Sequence, residues 1–298
     1  MNTIPPKLTK KLSEIISQPI LDTSPLVATH NARVYRITLK DQSKLVVKVD
    51  LSIFTIKNNQ PCPIEAEYQS LIYLKKHTTA PTPDVLCYQR GIMIMSYIDG
   101  NHTQSTTSEL DLARHLRRLH AHTQTKFGFD HDTAIGGIWQ DNRPTTSWVE
   151  FFIHQRLHNM ALYAMKTKKL PKKSYQLLTN NLSFIRTQLP KTSKPALIHG
   201  DLWPGNIFFN NNRAIGFIDP CCYFADREFE LAYLAFFGFT TQTFWLEYQK
   251  TSPLEADFFN TRMPIYQLYA LLIHILLLGG HYVERFDQSL MAILNHKS

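Results

Sequence analysis

Two short stretches carry side chains suited to phosphoryl transfer. One is His199-Gly200-Asp201-Leu202-Trp203-Pro204-Gly205-Asn206, the other Phe217-Ile218-Asp219-Pro220. Moving a phosphoryl group to an alcohol needs a carboxylate that accepts the hydroxyl proton. It also needs hard oxygen ligands that hold Mg2+ across the phosphates. Asp201 suits the first task, and Asn206 and Asp219 suit the second. Gly200 and Gly205 permit the tight turns that would bring all three into one cleft. A cation for the phosphates fits Lys48, inside the apolar run Leu45-Val46-Val47-Lys48-Val49, where a charge needs a partner. Glu65 or Glu67, a little downstream, can supply one.

Two unlike halves have to position these groups. Val34–Leu39 and Lys44–Val49 are β-branched runs around Lys40-Asp41-Gln42-Ser43 and read as an antiparallel hairpin. Ile64, Leu71 and Leu74 share one face of a helix over 64–77, which Pro81 and Pro83 close off. Val85–Tyr88 and Gly91–Tyr97 read as a second strand pair, and Asp99-Gly100 as the turn between lobes. The remainder is mainly helical. Thr106-Thr107-Ser108-Glu109 offers a capping box, and helices are expected over 148–166 and 174–189. Short strands follow at 196–199, 207–209 and 214–218, then helices from Asp226 to the end. Strands first and helices later indicate an α+β chain, with residues 1–98 as a sheet-rich lobe and 99–298 as a larger helical one.

Composition narrows the function. The 298 residues are 44% apolar and 19% charged, which excludes a disordered or fibrous chain. The net charge is +8, and the surplus falls in residues 151–200, with nine basic residues (Arg156, Lys166, Lys168, Lys169, Lys172, Lys173, Arg186, Lys191, Lys194) and no acid. We read this stretch as a solvated helix face and loop. It has no nucleic-acid recognition motif, so at most salt-sensitive, non-specific nucleic-acid binding is expected. Cys62, Cys87, Cys221 and Cys222 form no CxxC. They read as reduced thiols of a cytoplasmic protein, with Cys221 and Cys222 as buried small apolar residues. The first residues lack the apolar core of a signal peptide. Leu268–Gly280 is too short to span a bilayer and reads as a core helix. His154 and His158, at i and i+4, lack an acidic third ligand and read as an ordinary exposed face.

The pattern of Asp201 and Asn206, five apart, with a second acid after a short strand, matches the spacing of the protein-kinase catalytic loop. More specifically, His199–Asn206, Ile218-Asp219-Pro220 and Asp226-Arg227-Glu228-Phe229-Glu230-Leu231-Ala232 resemble the fructosamine/ketosamine kinase family. Phe127-Gly128-Phe129, Gln140, Asn142, Tyr266-Gln267-Leu268-Tyr269 and Gly279-Gly280 share the resemblance, which runs from about Lys48 to the C-terminus. It implies a bilobal protein-kinase-like fold and ATP- and Mg2+-dependent phosphorylation of a sugar hydroxyl on a ketosamine, free or on a glycated protein. The phosphorylated adduct then falls off the amine, a deglycating repair. Asp201 resembles the catalytic base, Asn206 and Asp219 the Mg2+ ligands, and Lys48 the phosphate lysine with Glu65 as its partner. Ser96-Tyr97-Ile98 resembles the hinge that holds adenine. Trp203 offers an aromatic face to a sugar ring, His199 organises the loop, and Arg227 with Glu228 reads as an ion pair at a helix start. The alternatives are an aminoglycoside- or choline-type small-molecule kinase and a weakly catalytic scaffold of the same fold. No glycine precedes Gly91, so a glycine-rich phosphate loop is excluded, and His30-Asn31-Ala32 stands where one would lie. No membrane partner is implied, and a monomer is the default.

Overall fold

Alternating apolar residues build the first region, and their alternation decides where Lys48 points. The computed structural model describes residues 4, 6–28, 32–50 and 62–295; His30 and Asn31 lie outside them. Strands β1 (Ile20–Ala28), β2 (Ala32–Leu39), β3 (Lys44–Asp50), β4 (Val85–Gln89) and β5 (Ile92–Ser96) form one antiparallel sheet in the order β1-β2-β3-β5-β4. The β2–β3 turn is closed by Asp41, whose side chain accepts from Ser43 N at 3.0 Å. Helix α1 (Pro6–Ile16) covers one face of the sheet, packing Leu8 and Leu12 against Tyr35, Ile37, Val47 and Val49. Helix α2 (Pro63–His77) covers the other, where Ile64 and Leu71 meet Met93, Met95 and Val46. Successive strand residues face opposite sides, so Lys48, between Val47 and Val49, points toward α2.

The rest is mainly helical: α3 (Thr106–His120), β6 (Thr133–Ile135), β7 (Ile138–Gln140), α4 (Trp148–Glu150), α5 (Asn159–Lys166), α6 (Lys172–Thr179), α7 (Leu182–Thr187), β8 (Ala196–Ile198), β9 (Ile207–Asn210), β10 (Arg213–Phe217), β11 (Tyr223–Ala225), α8 (Arg227–Ala235), α9 (Gln242–Gln249), α10 (Met263–Leu277) and α11 (Tyr282–Asn295). The expected α+β organisation is observed. α10 is buried over most of its length, from Ile265 to Leu276 apart from Gln267 and His274, which accounts for its apolar run. Among the described residues no helix is long and apolar enough to cross a membrane.

Several local expectations are corrected. The helix over 148–166 is continuous, but its middle turns, Phe151–His158, are wound as a π-helix. Within them Arg156 is fully buried, lying over the rings of Phe151 and Tyr223 and donating to Asn142 Oδ1, the Asp141 carbonyl and Tyr223 Oη. One charge of the basic stretch is therefore core, not solvated face. The helix over 174–189 is two helices. At the break, Asn181 Nδ2 donates back to Leu177 O at 2.8 Å. The cap of α3 is Ser105, paired reciprocally with Ser108, while Glu109 turns away to take Thr241 N and Oγ1. Ser105→Ala is expected to lower stability by about 1 kcal/mol, read from urea unfolding midpoints.

Candidate active site

Two loops that follow buried strands are clamped to each other by backbone hydrogen bonds. β8 leads into His199–Trp203 and a 3-10 turn, Pro204–Asn206; β10 leads into Ile218–Pro220. Ile218 N donates to Asn206 O and Cys221 N to His199 O, both at 3.0 Å. The approach demands special backbone. Gly200 has φ +89°, and a Cβ there would lie 2.3 Å from Cys221 O. Asp219 has φ +57°, the left-handed region, where a residue with a Cβ is held at a cost of about 1–2 kcal/mol.

This clamp gathers the oxygen-bearing side chains. Asp201 Oδ2 accepts from Asn206 Nδ2 at 3.2 Å, and the same nitrogen donates to Asp201 O at 2.8 Å. Asp201 Oδ1 accepts from Tyr233 Oη at 3.0 Å. Burial, helped by the nearby Asp219 carboxylate, pushes the Asp201 carboxyl up to about 7 against the hydrogen bonds from Tyr233 and Asn206. Lys48 Nζ donates to Asp219 Oδ1 at 2.9 Å and to Glu67 Oε2 at 2.6 Å. Burial opposes the charge on Lys48, but the carboxylates of Asp219 and Glu67 outweigh it and raise its pKa above the ordinary lysine value.

The partner of Lys48 is therefore Glu67, not the expected Glu65. Ile64, Glu67, Leu71 and Leu74 fall at i, i+3, i+7 and i+10, one stripe along α2, with Ile64 and Leu71 on the sheet and Leu74 in the core of the helical part. Glu65 is two residues, more than half a turn, away, on another side of the helix. A glutamate inside an apolar stripe was the sequence signal for the correct partner.

The other site residues surround this centre. His199 is fully buried and accepts from Asp201 N through Nδ1 at 3.3 Å; burial lowers its pKa, so it stays neutral. Trp203 is 39% exposed, covers Gly205 and packs on Phe237 at 5.9 Å between ring centroids. Ser96 ends β5, with its N–H on Asp84 O; Tyr97 lies under Lys44, and the Ile98 side chain fills the space over Gly216 in β10. Arg227 and Glu228 do not pair with each other. Glu228 grips Arg262 through both oxygens, and Arg227 lies over Tyr248. Gln140 and Asn142 are buried scaffold, bonded to Tyr269 and Arg156. His154 and His158 take separate partners, Glu150 and Tyr175. Sequence reasoning missed Tyr233. Helix α8 is buried over Glu228–Leu234, so no face of it stands out in the pattern.

Chemically, the arrangement pairs a buried carboxylate of raised pKa with a cation and two oxygen donors on adjoining loops. Asp219, with a side chain 43% exposed, meets Lys48 through Oδ1, and Asn206 uses its amide nitrogen on Asp201. Such donors suit a hard divalent cation. Among the described residues no three His, Cys, Asp or Glu converge on one point, so a divalent ion held by these two donors would take the rest of its shell from water or a ligand.

Residues 9–296 match the family model for fructosamine kinase. A probable ketoamine kinase of Enterococcus faecium is 32% identical over 229 residues, covering 76% of this chain and 81% of that protein. A crystal structure of a Thermobifida fusca protein assigned as a fructosamine-3-kinase superposes with a TM-score of 0.84 at 25% identity, over 99% of each chain. A ternary complex of the aminoglycoside phosphotransferase APH(4)-Ia with AMP-PNP and hygromycin B, 16% identical over 98% of each chain, superposes with a TM-score of 0.66 and shares the kinase-like fold. With the family model spanning nearly its whole length, the chain belongs to the fructosamine kinase family and is a phosphotransferase with an alcohol group as acceptor.

Proposed function

We propose that the protein transfers the γ-phosphoryl group of ATP to a sugar hydroxyl of a ketosamine, with Asp201 as general base. The observation that carries this is the convergence of Lys48, Asp219, Asn206 and Asp201: Lys48 Nζ donates to Asp219, Ile218 N beside Asp219 donates to Asn206 O, and Asn206 Nδ2 donates to Asp201. Lys48, kept charged by Glu67 and Asp219, meets the nucleotide phosphates. Asn206 and Asp219 are the residues that would hold Mg2+. When bound, that ion offsets negative charge developing on the transferred phosphoryl oxygens. Asp201 takes the proton of the acceptor hydroxyl as that oxygen attacks. Its carboxyl, poised near neutrality, suits a base that must be ionised yet still basic. Ser96, Tyr97 and Ile98 form the adenine-side hinge, and the lobes divide after Ile98. The family reading adds that the phosphorylated adduct breaks down and frees the amine.

The test is incubation with ATP, Mg2+ and a fructosyl- or ribulosyl-amine, followed by phosphorus NMR. A new sugar phosphate ester supports the reading; transfer only to an aminoglycoside, or no transfer, overturns it. Trp203→Ala is expected to raise KM for the sugar roughly tenfold, the order of an aromatic contact, with KM for ATP little changed. Glu67→Gln removes one of the two anions on Lys48 and is expected to lower kcat/KM for ATP roughly tenfold or more, whereas Glu65→Gln leaves it near wild type. Steady-state kinetics at varied ATP compares the two.

A further inference from the structure

We infer that Tyr233 is a positioning residue for the catalytic base, and that one face of α8 holds the catalytic loop in register. The inference rests on the reading of Asp201 as base. Three residues, at i, i+3 and i+7 on α8 and its continuation, meet three positions of the loop in order. Glu230 Oε1 accepts from Gly200 N at 2.8 Å, fixing the backbone just before the base. Tyr233 Oη donates to Asp201 Oδ1 at 3.0 Å, fixing the carboxylate itself. The Phe237 ring packs on Trp203, fixing the aromatic plane beyond it. That spacing puts all three on one side of a helix.

The helix is well anchored for this purpose. Asp226 caps its start by accepting from Glu228 N at 2.8 Å, and Glu228 is tied to Arg262 by two hydrogen bonds of 2.6 and 3.0 Å. Glu230 has its second oxygen on His120 Nε2 at 2.9 Å, and His120 Nδ1 meets Tyr248 Oη at 2.7 Å. The Tyr233 ring is wedged between Phe237 and Tyr269, and the residue is only 6% exposed. A carboxylate offers about four lone-pair sites. Tyr233 occupies one on Oδ1 and Asn206 one on Oδ2. Donors on both oxygens define the plane and rotation of the group while leaving lone pairs for the acceptor hydroxyl. Misplacement of a base is costly because proton transfer requires hydrogen-bond reach to the reacting hydroxyl.

Tyr233→Phe removes the donor and keeps the ring. The expected result is a kcat roughly 10- to 100-fold lower, the scale of a hydrogen bond to a charged group, with KM for ATP and the melting temperature close to wild type. The decisive measurement is the same substitution in an Asp201→Asn background. There it is expected to cost less than about twofold, since a residue that acts through the base has nothing left to position. Equal losses in both backgrounds, or an unchanged kcat in the wild-type background, overturn the inference. If Asp201→Asn alone retains full kcat, the base assignment fails instead, so the two failures are told apart.

Discussion

Asp201→Asn is expected to lower kcat by roughly 10²–10⁴, the contribution of a positioned general base, while the protein becomes relatively more stable as pH rises. The two effects have one cause. Burial holds the Asp201 carboxyl at about 7, against an ordinary value of 3.8. Between those values the unfolded chain gives up this proton and the folded chain retains it. Folding stability therefore falls as pH rises from about 4 to about 7, then levels off. A neutral amide of the same shape escapes that loss. Thermal melts of both proteins, in buffer free of Mg2+ and nucleotide, should give similar melting temperatures near pH 4 and a growing advantage for Asp201→Asn toward pH 7. A variant with full activity removes Asp201 from the mechanism. One that loses activity and is also uniformly less stable at all pH values points to damage to the fold. The expected combination, slower and sturdier, is the trade-off of a site that keeps an awkward charge for chemistry.

What could be read in the sequence follows from the range of the interactions involved. The β2–β3 hairpin and α2 were legible because alternation, helical spacing and turn residues all lie within a few positions of one another. The loop 199–206 was legible for the same reason: its functional residues are neighbours in sequence, and Gly200 and Gly205 mark the turns. Strand β1 was not, since Pro25 interrupts it and the pairing with β2 slips between Pro25 and Val27. Helix α1, which covers β2 and β3, did carry a signal, with Leu8 and Leu12 one turn apart. Glu67 was readable from its place in the apolar stripe of α2, a local cue that the resemblance, with Glu65 as the partner, does not contain. Arg156 was not readable at all. Its burial depends on Asn142, Asp141 and Tyr223, which only the tertiary fold brings to it. Tyr233 belongs to the same class, an ordinary core aromatic in sequence until α8 is laid against the loop.

Gly200→Ala should then be the most damaging small substitution in the loop, although it adds a single methyl group. Two costs combine. At φ +89° a residue with a Cβ is strained, by about 1–2 kcal/mol on the left-handed scale. The new Cβ would also lie 2.3 Å from Cys221 O and 2.9 Å from Cys221 Sγ. The Cys221 carbonyl oxygen is backbone and cannot swing aside, since Cys221 N is bonded to His199 O and the side chain is buried. Relief requires the two loops to separate, and overpacking of this kind typically costs about 1–3 kcal/mol. Together the expected loss is about 3 kcal/mol or more, measured by denaturant unfolding. Activity should fall further than stability alone explains. Parting the loops draws Asp201 and Asn206 away from Asp219 and Lys48 and pulls Gly200 N from Glu230. Gly137, in the β6–β7 turn, offers the contrast. Its φ is +83°, but a Cβ there would meet nothing within 4 Å. Gly137→Ala should therefore cost only the backbone strain and leave kcat untouched. If the two glycine variants lose equal stability, the packing argument for Gly200 fails and backbone strain alone governs both.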